Sequence, residues 1–298
     1  MKQLTVISGK GGTGKTVITA AFAALAEGKV MADCDVDAAD LHLLLHPRIK
    51  ETHEFKGGSK AMLNIDLCTN CGKCLEVCRF GAIRKGEKKN SERENQITID
   101  PVSCEGCGVC TLICPVEAIQ MKENLSGEWY LSDTKYGPMV HAKLGIAEEN
   151  SGKLVNLVRQ NARLTANRDN LGLVIVDGPP GIGCPVIASV TGVNLVVVVT
   201  ESTLSAISDL ERVLRLTNHF KISTVVVINK FDINLENTEK ITKFCQREKI
   251  EIAGKIPFDN AFTRAMVEGK IILEYTDSKI VEEIKNIWKR IYILTLYG

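Results

Sequence analysis

The stretch GKGGTGKT, Gly9 to Thr16, constrains the fold of this chain more than any other. It follows a run of β-branched residues at 2–8 that predicts a strand, and it leads into KTVITAAFAALAEGK, a helical pattern closed by Gly28. Glycines in such a loop let backbone N–H groups close around an anion, and the start of the next helix adds its dipole. The order strand, glycine loop, helix predicts a βα unit with a candidate phosphate site.

The later part of the chain predicts a parallel sheet. NLGLVIVDGPPG, NLVVVVT (194–200) and ISTVVVINK (222–230) contain near-continuous β-branched runs, which are typical of strands buried on both faces. Helical patterns lie between or after these runs, at about 203–219 and 236–248. This alternation predicts an α/β fold: a doubly wound, mostly parallel sheet with helices on both faces.

A second texture interrupts this pattern. CTNCGKCLEVCRFGAI (68–83) aligns without a gap with CEGCGVCTLICPVEAI (104–119), and each copy has the spacing C-x2-C-x2-C-x3-C. This is the pattern of bacterial ferredoxins with two 4Fe–4S clusters, in which the fourth cysteine of each run binds the other cluster. The predicted ligands are Cys68, Cys71, Cys74 and Cys114 for the first cluster, and Cys104, Cys107, Cys110 and Cys78 for the second. Zinc in four-cysteine sites is the alternative.

The sequence therefore predicts that the cysteine segment is an insertion within the α/β domain. We expect a small α+β bacterial-ferredoxin-like domain at 57–126, within a discontinuous nucleotide-binding domain formed by 1–56 and 127–298. The stretch KGGSK (56–60) is linker-like, and within 136–154, before the next helix, the run of Gly, Glu, Asn and Ser is typical of a loop.

The glycine loop carries a second lysine, Lys10, that a phosphate loop does not need. The sequence K-G-G-x-G-K-T resembles the deviant Walker-A ATPases of the MinD/ParA class, which include the nitrogenase iron protein and the Mrp-type iron–sulfur carriers. Together with the cysteine repeats, the whole chain resembles a MinD-superfamily ATPase with an inserted ferredoxin domain. The resemblance implies an ATP-dependent homodimer in which Lys10 reaches across to the partner's nucleotide.

The same resemblance implies roles for further residues. Lys15 would contact the β- and γ-phosphates, and Thr16 would hold Mg²⁺ with Asp35 of ADCDVDAADL, the segment that matches switch I. Asp177 of VIVDGPPGIG matches the Walker-B aspartate. The implied catalytic residues are Lys10, Lys15, Asp35 and Asp177. The implied nucleotide contacts are Gly9, Lys10, Gly11, Gly12, Thr13, Gly14, Lys15, Thr16, Thr203, Asn229, Pro257 and Phe258.

The identity of the base stays open at this point. Asn229 to Asp232 spell NKFD, the guanine motif of GTPases, so GTP is an alternative to ATP. Cys184, seven residues after Asp177, lies where the nitrogenase iron protein has a cluster-bridging cysteine. It is a possible bridging ligand, although we favour the interpretation as a buried small residue.

Charge and hydropathy limit the partners. The net charge is +1, from 37 basic and 36 acidic residues, which gives no bulk electrostatic reason to expect nucleic acid or an anionic membrane. The first residues do not form a signal peptide, so we expect a cytoplasmic protein. The C-terminal pattern at about 277–295 is amphipathic with a mixed polar face, which favours packing on the domain over membrane binding.

These features lead to three functional hypotheses. The first is an ATPase in which nucleotide binding and dimerisation gate electron transfer through two clusters to an unknown protein partner, in a reductive or metal-cofactor maturation step. The second is a carrier or scaffold for iron–sulfur clusters. The third is a positional or regulatory ATPase whose clusters sense redox state.

Overall fold

A computed structural model describes residues 1–86, 96–145, 148 and 151–297 of the chain. The strands are β1 Lys2–Ser8, β2 Lys29–Asp33, β3 Arg48–Leu63, β4 Ile83–Lys85, β5 Ile97–Ile99, β6 Ile119–Thr134, β7 Gly137–Leu144, β8 Leu173–Pro180, β9 Leu195–Glu201, β10 Thr224–Asn229 and β11 Glu251–Ile256. The helices are α1 Lys15–Leu25, α2 Leu41–Leu45, α3 Lys73–Val77, α4 Val109–Ile113, α5 Ser151–Arg168, α6 Cys184–Val190, α7 Leu204–His219, α8 Leu235–Arg247, α9 Asn260–Val267, α10 Ile272–Tyr275 and α11 Lys279–Tyr297.

Among the residues that the structure describes, the main sheet has nine strands in the order β11-β10-β9-β1-β8-β2-β7-β6-β3. β1 pairs in parallel with β8 and β9, β10 with β9 and β11, and β2 with β7 and β8. The predicted α/β fold with a mostly parallel sheet is therefore confirmed. Because parallel strands end at the same edge, this order brings the ends of β1, β2 and β8 together.

The sheet is buried on both faces, as the β-branched runs predicted. Along β9, Val197 and Val199 join the core cluster beneath α1, α9 and α11, whereas Val196 and Val198 join the cluster beneath α6, α7 and α8. Successive side chains of a strand point to opposite faces, so an uninterrupted valine run supplies both cores at once.

The C-terminal helix packs on the domain, as predicted. Ile280, Ile284, Ile287, Trp288 and Ile291 of α11 are buried. The ring of Trp288 lies against Phe22 of α1, with 5.2 Å between the ring centroids. A Cβ at Gly254 of β11 would lie 2.4 Å from Ile287, so only glycine lets the helix approach the strand this closely.

The chain divides into two compact units. Unit 1 comprises Met1–His53, Trp129–Lys143 and the described residues of Ser151–Gly298, and unit 2 comprises the described residues of Glu54–Glu128 and Leu144–Asn150. The expected linker KGGSK is wrong, because it lies inside β3. The stretch 136–154 begins as β7, and most of its run of Gly, Glu, Asn and Ser lies outside the described residues, so the loop expected there stays a prediction.

Unit 2 repeats one small motif. In each copy a short helix follows a glycine with positive φ, Gly72 before α3 and Gly108 before α4, and carries the third cysteine of its run. β4 and β5 form a separate antiparallel pair. The thiols of Cys74 and Cys110 lie in the core of the unit beside Ile83 and Ile97.

Candidate functional site

The glycine loop opens into a cavity at the carboxyl edge of the sheet in unit 1. The cavity has a volume of about 370 Å³. It is lined by Ser8, Gly11, Gly12, Thr13, Gly14, Lys15, Thr16, Val17, Asp35, Ala38, Asp40, Leu43, Leu44, Pro180 and Met266. Six of these belong to the quoted GKGGTGKT stretch. This is the edge at which doubly wound sheets bind their ligands.

The loop takes the backbone conformation that cradles an anion. Gly12 and Gly14 have φ of 78° and 88°, values that side chains with a Cβ rarely adopt. Gly14 is the residue immediately before α1. A Cβ there would also lie 2.4 Å from the amide nitrogen of Asn229, so both space and φ require glycine. The cradle therefore fits a phosphate group at the start of α1.

Lys15 bridges the two aspartates that the resemblance singled out. Its Nζ lies 2.9 Å from Asp177 Oδ1 and 3.5 Å from Asp35 Oδ2. Thr16 Oγ1 donates to Asp177 Oδ2 at 3.0 Å, and Thr19 Oγ1 donates to Asp177 Oδ1 at 2.9 Å. Hydroxyl and carboxylate oxygens are the ligands that Mg²⁺ prefers. The structure thus brings together Lys15, Thr16, Asp35 and Asp177.

Burial and neighbouring charges shift the pKa values of Lys15 and Asp35 in this cluster. Burial alone would lower the pKa of Lys15, but the carboxylates of Asp177 and Asp35 outweigh it and raise the pKa. Burial, and to a lesser extent the neighbouring Asp177, raise the pKa of Asp35 to about 6 against the opposing effect of Lys15. Lys15 therefore stays charged, whereas Asp35 titrates near pH 6.

Asp33 is a third acid beside the pair. It is 1% exposed, and its Oδ2 is buried with no hydrogen-bond partner among the described residues. Its Oδ1 accepts from the backbone N–H of Asp35 at 3.2 Å. Burial and the neighbouring Asp177 raise its pKa well above the usual range.

The side chain of Asn229 contacts the phosphate loop. Its Nδ2 donates to the carbonyl of Thr13 at 2.8 Å, and its Oδ1 accepts from the N–H of Lys230 at 3.0 Å. Lys230 Nζ donates to the carbonyl of Gly12 at 3.0 Å. The end of β10 therefore braces the phosphate loop. A contact from Asn229 to the base stays a prediction, and the bracing lysine was not anticipated.

The other predicted base contacts lie beyond the cavity lining. Phe258 is exposed, and its N–H donates to Asp232 Oδ1 at 2.6 Å. Pro257 follows β11 directly. Their contact with a base stays a prediction.

Lys10 contacts different residues from Lys15. Its Nζ lies 2.8 Å from Glu201 Oε1 and 3.0 Å from Thr203 Oγ1. Neither Gly9 nor Lys10 is part of the cavity lining. Gly9 is instead packed against α7, where an added Cβ would lie 2.5 Å from that of Asp209.

In unit 2, the cysteines gather around two separate cavities. Each cavity is lined by three cysteines of one run and the fourth cysteine of the other. Cys68, Cys71, Cys74 and Cys114 line one, and Cys104, Cys107, Cys110 and Cys78 line the other. Within the part of the chain that the structure describes, no group of three or more His, Cys, Asp or Glu side chains could hold a metal ion directly. The thiols surround a space instead of converging on one point.

The two runs have different residues at one equivalent position of positive φ. Asn70 and Gly106 both have positive φ, of 55° and 67°. The Asn70 side chain accepts from the N–H of Ile97 at 3.1 Å. At Gly106 a Cβ would lie 2.2 Å from the carbonyl oxygen of Ser59.

Cys184 is exposed at the start of α6, so its interpretation as a buried residue is wrong. It directly follows the loop that leaves β8, and a Cβ added to Gly152 would come within 3.6 Å of it. Its role as a bridging ligand stays a prediction.

The sheet order and the phosphate loop define a P-loop nucleotide-binding protein. Residues 4–272 match the family model of the CobQ/CobB/MinD/ParA nucleotide-binding domain. The chain belongs to this family.

Two comparisons extend over nearly the whole chain. The uncharacterized protein MJ0578 of Methanocaldococcus jannaschii is 34% identical over 292 residues, which is 97% of this chain and 96% of that protein. MinD of Aquifex aeolicus, in its complex with MinC, is 17% identical with a TM-score of 0.58, covering 98% and 96% of the two chains.

MinD of Pyrococcus horikoshii with bound Mg-ADP is 14% identical with a TM-score of 0.56, covering 97% and 95%. At these identities the solved structures describe the fold alone. No described helix is both long and apolar enough to cross a bilayer.

Proposed function

We propose that this protein binds and hydrolyses ATP, and that nucleotide-dependent dimerisation gates electron transfer through two 4Fe–4S clusters. The reaction served is a reductive or metal-cofactor maturation step with a protein partner. The observation that carries the proposal is the joint presence of a P-loop site and two four-thiol cavities in one chain.

The nucleotide half rests on residues that fit MgATP. The glycine cradle supplies backbone donors, and Lys15 supplies a cation that stays charged because two carboxylates surround it. Thr16 and Asp35 would offer oxygen ligands for Mg²⁺, and Asp35 would orient the attacking water. Phosphoryl transfer depends mainly on such positioning and charge neutralisation.

The cluster half rests on the donor sets. A 4Fe–4S cluster takes four thiolates, one for each iron, and therefore needs four sulfurs spread around a space. Each cavity offers this set, and the crossed fourth ligands Cys78 and Cys114 match the ferredoxin pattern. When bound, the clusters would supply one-electron redox chemistry. The arrangement supports clusters over a single zinc ion.

An anaerobic redox titration followed by EPR tests the gating. With MgATP, we expect a shift in the potential of at least one cluster, together with dimer formation. The variant Lys15→Ala removes the phosphate contact and should abolish both responses while retaining iron. An unchanged potential, accessibility and oligomeric state on adding MgATP would contradict the proposal, as would a preparation without iron and acid-labile sulfur.

A second candidate is a cluster carrier. The exposed position of Cys184 leaves its thiol available to a ligand at the surface of unit 1. Labile iron beyond the eight atoms of two clusters, lost in Cys184→Ala, would favour this candidate over electron transfer.

A third candidate is a positional or regulatory ATPase whose clusters sense redox state. It draws support from the fold shared with the MinD proteins of known structure. Hydrolysis stimulated by DNA or membrane, without electron delivery to a protein acceptor, would favour it.

A further inference from the structure

Lys10 is fully engaged within its own chain. Its ammonium group lies 2.8 Å from Glu201 Oε1, 2.8 Å from Ser205 Oγ and 3.0 Å from Thr203 Oγ1. A lysine has three N–H donors and no acceptor, so these three contacts use its whole capacity. In this arrangement Lys10 has no donor left for a phosphate.

Glu201 is the only charged member of this group of acceptors. It ends β9, its side chain is 14% exposed, and its second oxygen lies 3.1 Å from Lys230 Nζ. Burial would raise the pKa of Glu201, but hydrogen bonds from Lys10 and Lys230 outweigh this and lower it. One carboxylate therefore serves as the shared counter-ion of two lysines.

We propose that Glu201 is a positioning residue that holds Lys10 on its own subunit until a second copy of the chain docks. The inference rests on the proposed dimer, in which Lys10 reaches the nucleotide of the partner subunit. A triphosphate carries more negative charge than one carboxylate and competes better for the ammonium group. Without that triphosphate Lys10 remains bound to Glu201. This retention of Lys10 by Glu201, called the hold below, makes dimerisation depend strictly on the nucleotide.

The charge of Glu201 is the part that matters. If it became neutral, Lys10 and Lys230 would face each other without a counter-ion, and Lys10 would move toward solvent. The hydroxyls of Thr203 and Ser205 cannot replace the lost charge. Glu201→Gln keeps the shape of the side chain, removes the charge and leaves one acceptor oxygen for the two lysines, so it is the appropriate variant.

Chemical labelling tests the hold in the nucleotide-free protein. An amine-reactive ester, read out by mass spectrometry, reports how available Lys10 is. We expect labelling of Lys10 to be about fivefold faster in Glu201→Gln, because a charge-assisted hydrogen bond has been lost. Ser205→Ala should give a smaller rise. Glu211→Gln is the matched control, since Glu211 pairs with Arg215 on the exposed side of α7. Equal labelling in the wild type, Glu201→Gln and Ser205→Ala overturns the proposal.

Dimerisation provides the functional readout. In analytical ultracentrifugation with MgATP, Glu201→Gln should dimerise at about fivefold lower concentration than the wild type. Glu201→Asp should restore part of the wild-type behaviour. In a Lys10→Ala background, Glu201→Gln should have no effect, because a purely structural role of Glu201 would not depend on Lys10. An effect of equal size in that background overturns the proposal.

The variants distinguish the dimer role of Lys10 from the role of Glu201. If Lys10→Ala dimerises like the wild type, the dimer role of Lys10 in the proposed function is wrong, and the role of Glu201 falls with it. If Lys10→Ala impairs dimerisation but Glu201→Gln leaves or weakens it, only the hold is wrong. If Glu201→Gln does not fold, Ser205→Ala decides, and its unchanged labelling and dimerisation count against the hold.

Discussion

Asp35 carries an electrostatic cost that depends on pH. Burial and Asp177 raise its pKa from 3.8 to about 6 despite Lys15. In the unfolded chain the acid ionises at lower pH, so the unfolded state loses its proton first as the pH rises. The free energy of unfolding therefore falls between about pH 4 and pH 6, and the full cost is present above pH 6.

We predict that Asp35→Asn stabilises the nucleotide-free protein at pH 7.5 by roughly 1–3 kcal/mol. The gain should disappear near pH 4, where the acid is protonated in both states. Denaturant unfolding at a series of pH values measures it. Glu239→Gln, on the exposed face of α8, is the control and should show no such trend. A gain that does not depend on pH would contradict the assignment.

The two cysteine repeats require different residues at one equivalent position. Asn70 uses its side chain to accept from Ile97, whereas Gly106 has the carbonyl of Ser59 where a side chain would begin. We predict that Gly106→Asn, which copies the first repeat, loses about four of the eight iron atoms. Iron analysis of the anaerobic protein measures this.

Gly81→Asn provides the control for that substitution. Gly81 has a φ of 64° but open space around its Cβ position, so it tests the backbone strain without the clash. Full iron content in Gly106→Asn would show that the clash is relieved and the prediction wrong.

At the scale of elements, the end of β10 acts on the phosphate loop. We predict that Asn229→Ala weakens binding of ATP and GTP by the same factor, about tenfold, because the carbonyl of Thr13 loses its donor. Titration calorimetry with both nucleotides measures this.

The control for Asn229→Ala is Asn237→Ala. Asn237 is a buried amide that donates to the carbonyl of Ser202 and not to the loop. A loss confined to one nucleotide in Asn229→Ala would indicate a base contact instead of a brace.

The sequence predicted the elements whose periodicity is strong. Five elements lie within a few residues of their predicted positions, because each buries regular apolar positions: β1, α1, α7, α8 and α11. The sequence did not predict a strand at KGGSK, because its glycines are typical of a flexible linker. Gly57 in fact allows close packing, since a Cβ there would lie 2.9 Å from the ring of Phe55 and 3.0 Å from Ser126 Oγ.

Local sequence patterns likewise predicted only part of the candidate site. Motifs could select Lys15, Thr16, Asp35 and Asp177, since each lies within or just after a recognisable strand or at the start of a helix. Glu201 could not, because it approaches Lys10 only after the sheet places β9 beside β1. Contacts between residues so far apart in the chain leave no local pattern.

At the scale of the whole molecule, the nucleotide pocket is built from unit 1 alone. We predict that the double variant Cys71→Ala/Cys107→Ala loses its iron but keeps its affinity for MgATP within about twofold, because no residue of the pocket has changed. Iron analysis and calorimetry on the same sample measure both quantities.

That double variant should also lose any redox response to MgATP. The single variant Cys245→Ala is the control, because Cys245 is a buried thiol on α8 outside both cavities. Loss of MgATP binding in the double variant would contradict the independence of the pocket.

The ion pair of Lys15 with Asp177 and Asp35 has one further consequence. With no nucleotide bound, the acids of the pocket already have a tethered cation among them, so a free divalent ion must displace a resident competitor. Phosphates that draw Lys15 away would release those acids at the same moment. The pocket should therefore be indifferent to the cellular level of free magnesium and respond to the complete magnesium–nucleotide complex.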